Sequence, residues 1–459
     1  MTMAAAQPPG PVGFGAAVVG AGADVGMVVL GVGDSVGTLV CCDVVAVGGD
    51  VDVGAGAGPA AVHPATAMTA SKIAARRAAR PVSIGVVAVD LGRGGCCTPR
   101  PYPDGGGPPR TSTCHEVFVL AGCGGYVAAV SPQPVPVVLD VDTGVDDACA
   151  LLLAASHPDL DLRAVTCVGG NAPVDDVVRN TLLVLHTAGR TDVPVARGAG
   201  RPLLEHPVDA RHVHGSDGMG DLGWDPAPTV PDPRHAVELL RDVCRSAASE
   251  GRPVTLVPLA PLTNIALLLR TYPDVAGGIE RIVFMGGAAH VGNATASAEF
   301  NVFHDPEAAA VVLEAAGELG IGVTMYGLDV FYDPVVTREQ AAELIARGGR
   351  GPAELAGRLI EFQCERFSRR ASTIGDAGAV CAVLDPSALT TQVLPLRIEL
   401  AGHWSRGRTI VDRRDWSGDL AHDPHGEAPV RVEVALGVDA HRYADIWRRT
   451  VLAADEARR

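Results

Sequence analysis

Val135-Pro-Val-Val-Leu139-Asp140-Val-Asp142-Thr-Gly144-Val-Asp146-Asp147 joins a short apolar, β-branched run to four carboxylates within eight residues. The run Val135 to Leu139 suits a strand buried on both faces, and Gly144 provides the turn that follows. Val145 to Ser156 then has helical spacing with acids in its first turn, and His157-Pro158 stops it. The pattern repeats downstream. Strands are expected at Leu162 to Val168, Val193 to Ala196, Val254 to Pro258, Arg281 to Met285 and Val323 to Leu328. Helices are expected at Val174 to Ala188, Arg234 to Ala248, Leu262 to Leu269 and Pro306 to Ala316. Alternation of this kind implies an α/β fold, a mostly parallel central sheet with helices on both faces, in the manner of a Rossmann-like open sheet. Ligands of such sheets bind beyond the C-terminal strand ends, and the polar clusters fall there.

Four acids at the mouth of a buried strand repel one another unless a cation joins them. Hard oxygen ligands suit Ca²⁺ or Mg²⁺ rather than zinc. A helix N-terminus alone explains Asp146 and Asp147, but not Asp140 and Asp142. Two chemistries use such a segment. One is phosphoryl transfer of the haloacid-dehalogenase type, whose D-x-D-x-[TV] motif also follows a first strand. Gly144 stands at its fifth position, and that chemistry has no use for Asp146-Asp147. The other is nucleoside hydrolysis.

The stretch Asp140–Asp147 resembles the D-x-D-P-G-x-D-D signature of the inosine-uridine preferring nucleoside hydrolases, with Thr143 where Pro is usual. Val168-Gly-Gly-Asn171, Val213-His-Gly-Ser-Asp-Gly-Met-Gly220 and Leu259-Ala-Pro-Leu-Thr-Asn264 follow in the family's order. So do Met285-Gly-Gly, Gly292-Asn-Ala-Thr-Ala-Ser-Ala-Glu-Phe-Asn301 with Asp305-Pro-Glu, Gly375-Asp376 through Asp385-Pro386, and Arg406 to Asp412. The resemblance covers about 134–455 and nothing earlier.

It implies a nucleoside hydrolase-like fold and metal-dependent hydrolysis of the N-glycosidic bond of ribonucleosides, within nucleoside catabolism or salvage. It implies Ca²⁺ held by Asp142, Asp147, Asp376 and the main-chain oxygen of Leu259, with the ribose hydroxyls and one water completing the shell. Asp142 is then the general base. Asp146 is expected on the ribose 2′-hydroxyl, and Asn171, Met285, Asn293, Glu299 and Asn301 around the rest of the sugar. A sugar that becomes oxocarbenium-like is stabilised by such negative charge. Where the family carries a His that protonates the leaving base, this chain has Gly375. His214 is the available substitute, Trp224 or Phe303 could stack on the base, and Phe367, Arg369 and Arg370 could form a lid over it. Gly375 and Thr143 keep open a catalytically impaired nucleoside- or riboside-binding homologue, and Gly144 disfavours the phosphatase.

Composition bounds the rest. The net charge is −16, which argues against nucleic acid or an anionic membrane as partner, since both need a basic face. The first 133 residues hold 24 of the 55 Gly and 6 of the 11 Cys, so they read as a separate Gly/Ala/Val-rich, low-complexity stretch. This segment is expected to be a disordered extension or an upstream start assigned in error, with 134–459 as the catalytic domain. Cys41-Cys42 and Cys96-Cys97 lack zinc spacing. No Lys or Arg precedes Lys72, so a secretory leader is not expected, and the chain reads as cytoplasmic. Cys149, Cys167, Cys244, Cys364 and Cys381 lie in apolar segments and read as buried thiols. A homodimer or homotetramer is implied by the resemblance alone.

Overall fold

A computed structural model of the chain describes residues 133–415 and 429–458. The low-complexity extension assigned to 1–133 lies outside the described residues, apart from residue 133. The first six strands of the main sheet pair in parallel: β1 (Val135–Val141), β2 (Leu160–Cys167), β3 (Val195–Arg197), β4 (Val254–Pro258), β5 (Ile279–Met285) and β6 (Gly322–Tyr326). β7 (Val335–Thr337) and β8 (Ala371–Thr373) make a separate antiparallel pair. β9 (Leu389–Ile398), β10 (Thr409–Val411) and β11 (Val430–Val438) complete the main sheet, whose order is β10-β9-β11-β6-β5-β4-β1-β2-β3. β11 runs parallel to β6, whereas β9 and β10 turn the edge antiparallel.

β1 shows why these runs become strands. Val137, Leu139 and Val141 point into one core and Val138 into the other, and all four are buried. A strand with both faces covered reads as a continuous apolar run. The first core is roofed by α1 (Val145–Ser156) and α2 (Val174–Thr187). The short α3 (Arg211–His214) precedes α4 (Ala236–Glu250) and α5 (Thr263–Thr271), which cover the opposite face. α6 (Phe300–His304) leads into α7 (Pro306–Leu319) on that same face, and α8 (Leu328–Phe331) follows β6. α9 (Arg338–Ile345), α10 (Pro352–Arg366), α11 (Ala377–Leu384) and α12 (Ala440–Arg458) pack on the α1 side.

The chain therefore leaves β1 and β4, neighbours in the sheet, toward opposite faces. That divergence opens a crevice past their C-terminal ends. Asp140 and Asp142 end β1, and Leu259 follows β4. Trp447 of α12 is fully buried and donates from Nε1 to the Cys149 carbonyl of α1 at 3.0 Å, so the last helix is bolted to the helix that starts at the acidic turn. All five cysteines among the described residues are free and buried, as expected. No helix among the described residues is long and apolar enough to cross a membrane.

Candidate active site

The acidic turn organises itself around Asp147. Its Oδ1 accepts from the Asp142 N–H (3.2 Å) and its Oδ2 from the Gly144 N–H (2.9 Å), so the carboxylate caps α1 and folds the turn. Asn171, beyond the end of β2, reaches across. Its N–H donates to Asp142 Oδ2 at 2.7 Å, and its amide donates to Asp142 Oδ1 (3.0 Å) and Asp147 Oδ2 (3.2 Å). This approach requires the glycine before it, because a Cβ on Gly170 would overlap the Asp142 carboxylate.

Asp140 is not part of the open site. Thr166 Oγ1 (2.6 Å) and Asn264 Nδ2 (2.8 Å) donate to its Oδ1, while Asn264 also bonds the Cys167 carbonyl and the Ala199 N–H. The Leu259 N–H donates to the Asp140 carbonyl (2.8 Å). The first acid of the motif thus ties β1 to β2 and to the loop that presents Leu259.

Burial raises the pKa values of this group. Asp140 and Asp147 are each pushed up to about 7, Asp147 also by the charge of Asp146. Asp142 and Asp376 are pushed well above the usual carboxylate range by burial and then by their acidic neighbours. Asp140 Oδ2 and Asp146 Oδ1 are buried without a hydrogen-bond partner. Carboxylate oxygens of Asp146, Asp147 and Asp376 all lie within 4.8 Å of one another. Orphaned oxygens in a desolvated all-carboxylate cluster are what a hard cation relieves, so the donor set fits a divalent metal. Asp146 belongs to this tight triplet, whereas the sequence pointed to Asp142; both oxygens of Asp142 are engaged by Asn171.

Above the triplet opens a cavity of about 640 Å³. Asp146, Asn171, His214, Leu259, Met285, Asn293, Glu299, Asn301 and Asp376 all line it, so nine of the eleven expected site residues meet on one surface. Asp142 and Asp147 are fully buried and connect to that surface through Asn171. On the opposite side, Glu299 is the N-cap of α6. Its Oε1 accepts from Asn301 N–H (2.8 Å), and its Oε2 from Gly287 (2.8 Å) and Val302 (3.1 Å). Burial pushes Glu299 up to about 7. Asn301 in turn donates to the Leu259 carbonyl (2.9 Å) and the Met285 carbonyl (3.2 Å). Asn293 Oδ1 accepts from the Phe300 N–H at 2.9 Å.

Several expectations change. His214 ends α3, is buried, accepts from Val145 N–H on Nδ1 (3.2 Å), and sits 3.7 Å from Asp146. Burial lowers its pKa. Trp224 does not line the cavity; it lies beneath Arg350 and borders a separate small cleft. Phe303, Phe367 and Arg369 do line the cavity, with Arg369 over the Phe367 ring, but Arg370 does not. The departure at Thr143 is absorbed by a hydroxyl contact with Thr181 (2.6 Å). Phe300, Phe331, Tyr332, Gln363, Ser372 and Thr373 also line the cavity and were not singled out by the sequence. Their one signal there was position: Phe331 and Tyr332 stand just past a strand's C-terminal end.

The family model for inosine-uridine preferring nucleoside hydrolases matches residues 137–445. The chain is 39% identical over 286 residues to an inosine-uridine preferring nucleoside hydrolase of Leishmania major, covering 61% of this chain and 89% of that protein. It is 37% identical over 317 residues to a pyrimidine-specific ribonucleoside hydrolase of Shewanella sp. strain MR-7, covering 68% and 94%. Among solved structures, the purine-preferring ribonucleoside hydrolase from Gardnerella vaginalis is similar with a TM-score of 0.62 at 27% identity, over 70% of this chain and 99% of that one.

Proposed function

The chain belongs to the inosine-uridine preferring nucleoside hydrolase family and is an N-ribohydrolase, and from that premise we propose that it is a Ca²⁺-dependent enzyme releasing ribose and a free base from ribonucleosides. The observation that supports the metal is the convergence of Asp146, Asp147 and Asp376 below a cavity walled by hydroxyl-binding amides and Glu299. Asp147, Asp376, the Leu259 carbonyl and Asp142 or Asp146 would hold the ion. Bound there, calcium would supply positive charge that grips ribose hydroxyls and acidifies water.

The chain's own residues do the rest. Asp146 binds the ribose 2′-hydroxyl, and Asn171, Asn293, Glu299, Asn301 and Met285 hold the remainder. Asp142, fixed by Asn171, takes a proton from water as its oxygen bonds to C1′. The C1′–N bond breaks and its electron pair leaves with the base. Carboxylates around C1′ favour the cationic sugar at the moment of cleavage. His214 lines the cavity and accepts the Val145 N–H on Nδ1, so its Nε2 carries the proton that it would donate to the base.

The test is direct. The purified protein is incubated with inosine, uridine, cytidine and adenosine, and reducing sugar is measured. Ribose release from at least one is expected. No ribose from any would leave only a binding homologue, and phosphate released from phosphomonoesters would favour the phosphatase. We also propose that 134–459 carries the whole activity, that the enzyme is a cytoplasmic homodimer or homotetramer, and that neither nucleic acid nor membrane is a partner. Deletion of 1–133 should leave turnover unchanged, and a large loss would assign that segment a role.

A further inference from the structure

The cavity has two chemically distinct walls. One is polar: Asp146, Asn171, Glu299, Asn301 and Asp376 face it with oxygens and amides, which suits a sugar. The other is aromatic: Phe300, Phe303, Phe331, Tyr332 and Phe367. Of these rings, Tyr332 and Phe367 are nearly half exposed (45% and 46%), Phe300 and Phe303 are half-buried, and Phe331 is 6% exposed. A ring contributes most to binding when its position is set before the ligand arrives, because no side-chain freedom is then lost.

Phe331 is set in this way. Thr373 Oγ1 donates to the Phe331 carbonyl at 2.6 Å and accepts from the Gly375 N–H at 2.9 Å. One hydroxyl thereby staples the end of α8 to the turn before α11. Tyr332 meets the Phe331 ring edge-on, at 5.0 Å between centroids and 88° between planes. The ring tip abuts Gly375: a Cβ at 375 would lie 3.3 Å from Phe331 Cζ and would overlap the Cβ of Asp146. Gly375 also has a φ of +57°, which disfavours any side chain there. At this turn no side chain projects, and the Phe331 ring closes on the bare backbone.

Resting on the hydrolase reading, we propose that Phe331 is the platform on which the base packs and the residue that sets base preference, with Thr373 as the positioning residue that fixes the backbone carrying the ring. A planar base on a fixed ring gains about three- to tenfold in affinity from aromatic contact beyond the area it buries. The gain is greater for a bicyclic purine than for a pyrimidine, since more ring overlaps.

Phe331→Leu, which keeps most of the volume and removes the ring, tests this beside Phe331→Tyr. The dissociation constants of free hypoxanthine, free uracil and a ribose-like iminoribitol are measured by calorimetry on the calcium-loaded full chain, together with kcat/KM for inosine and uridine. In Phe331→Leu both bases should weaken about three- to tenfold, hypoxanthine more than uracil. Iminoribitol should stay within about twofold, and Phe331→Tyr should restore the bases. Thr373→Val should reproduce part of the loss, and Thr373→Ser should not. Base and iminoribitol weakening together in Phe331→Leu would mean a merely structural ring and overturn the proposal. Unchanged base affinity would overturn it as well. Base binding is read without turnover, so a wild-type chain that releases no ribose defeats the hydrolase reading and still leaves Phe331 decided by these constants.

Discussion

Glu299→Gln probes whether one carboxylate both caps a helix and positions the sugar site. In the native chain its two oxygens accept three backbone N–H groups, from Asn301, Gly287 and Val302, and the residue is 2% exposed. A glutamine has one accepting oxygen. The least costly placement keeps that oxygen on Gly287 and Val302 and turns the NH₂ toward the Asn301 N–H. Two buried donors then face each other, each costing about 1–3 kcal/mol, so the loss should be about 2–6 kcal/mol. In a domain of this size that lowers Tm by about 3–9 °C. The disturbance passes to Asn301, whose amide holds the Leu259 and Met285 carbonyls. Because Leu259 presents one of the expected metal-binding oxygens, kcat/KM for ribonucleosides should fall about 100-fold, equivalent to about 3 kcal/mol. Thermal denaturation and ribose release on the same preparation measure both. A variant that keeps its Tm within about 1 °C and its kcat/KM within about threefold would refute the linkage.

His304 should set part of the acid limit of stability. Burial lowers its pKa from 6.5 to about 4. The unfolded chain therefore takes up a proton that the folded chain refuses, and stability is lost as pH falls from about 6.5 to about 4. The gap corresponds to about 3 kcal/mol. In urea titrations at pH 7 and pH 4.5, His304→Leu should lose less stability than the wild type between the two; equal losses would contradict the burial argument. Trp447→Phe removes the bond to the Cys149 carbonyl and leaves a void between α12 and α1. It should cost about 2–3 kcal/mol, seen as a fall in the denaturation midpoint, while an unchanged midpoint would show that α12 does not brace α1.

Much of the sheet could be read in advance because its strands are covered on both faces. Val137 to Leu139 and Ile282 to Met285 are continuous apolar runs, and the predicted strands fall within two residues of the observed ones. The antiparallel edge was harder. β9 (Leu389–Ile398) is half exposed, and Thr390, Gln392 and Arg397 interrupt its apolar pattern. At the site, residues that act through side-chain oxygens or amides close to a strand end were found, since their chemistry is visible in the residue type. Of the aromatic lining, Phe303 and Phe367 were found and Phe331 was not. Phe331 acquires its position from Thr373 and Gly375, more than forty residues away, and no local pattern encodes that staple. Trp224 illustrates the opposite error: its residue type suggested a base platform, but Arg350 covers it. Asp140, one of the four acids of the motif, is a buried tie to Thr166 and Asn264.

Asp146, Asp147 and Asp376 crowd together in a desolvated pocket, and the account stands on a cation joining them there. Ribose released from inosine or uridine by chelator-stripped protein, followed by stepwise return of CaCl₂, measures this most directly. Turnover should vanish on stripping, return with calcium in a saturable curve, and stay absent in Asp147→Ala at any calcium concentration. Full ribose release from the stripped protein, or calcium-restored turnover in Asp147→Ala, would contradict it.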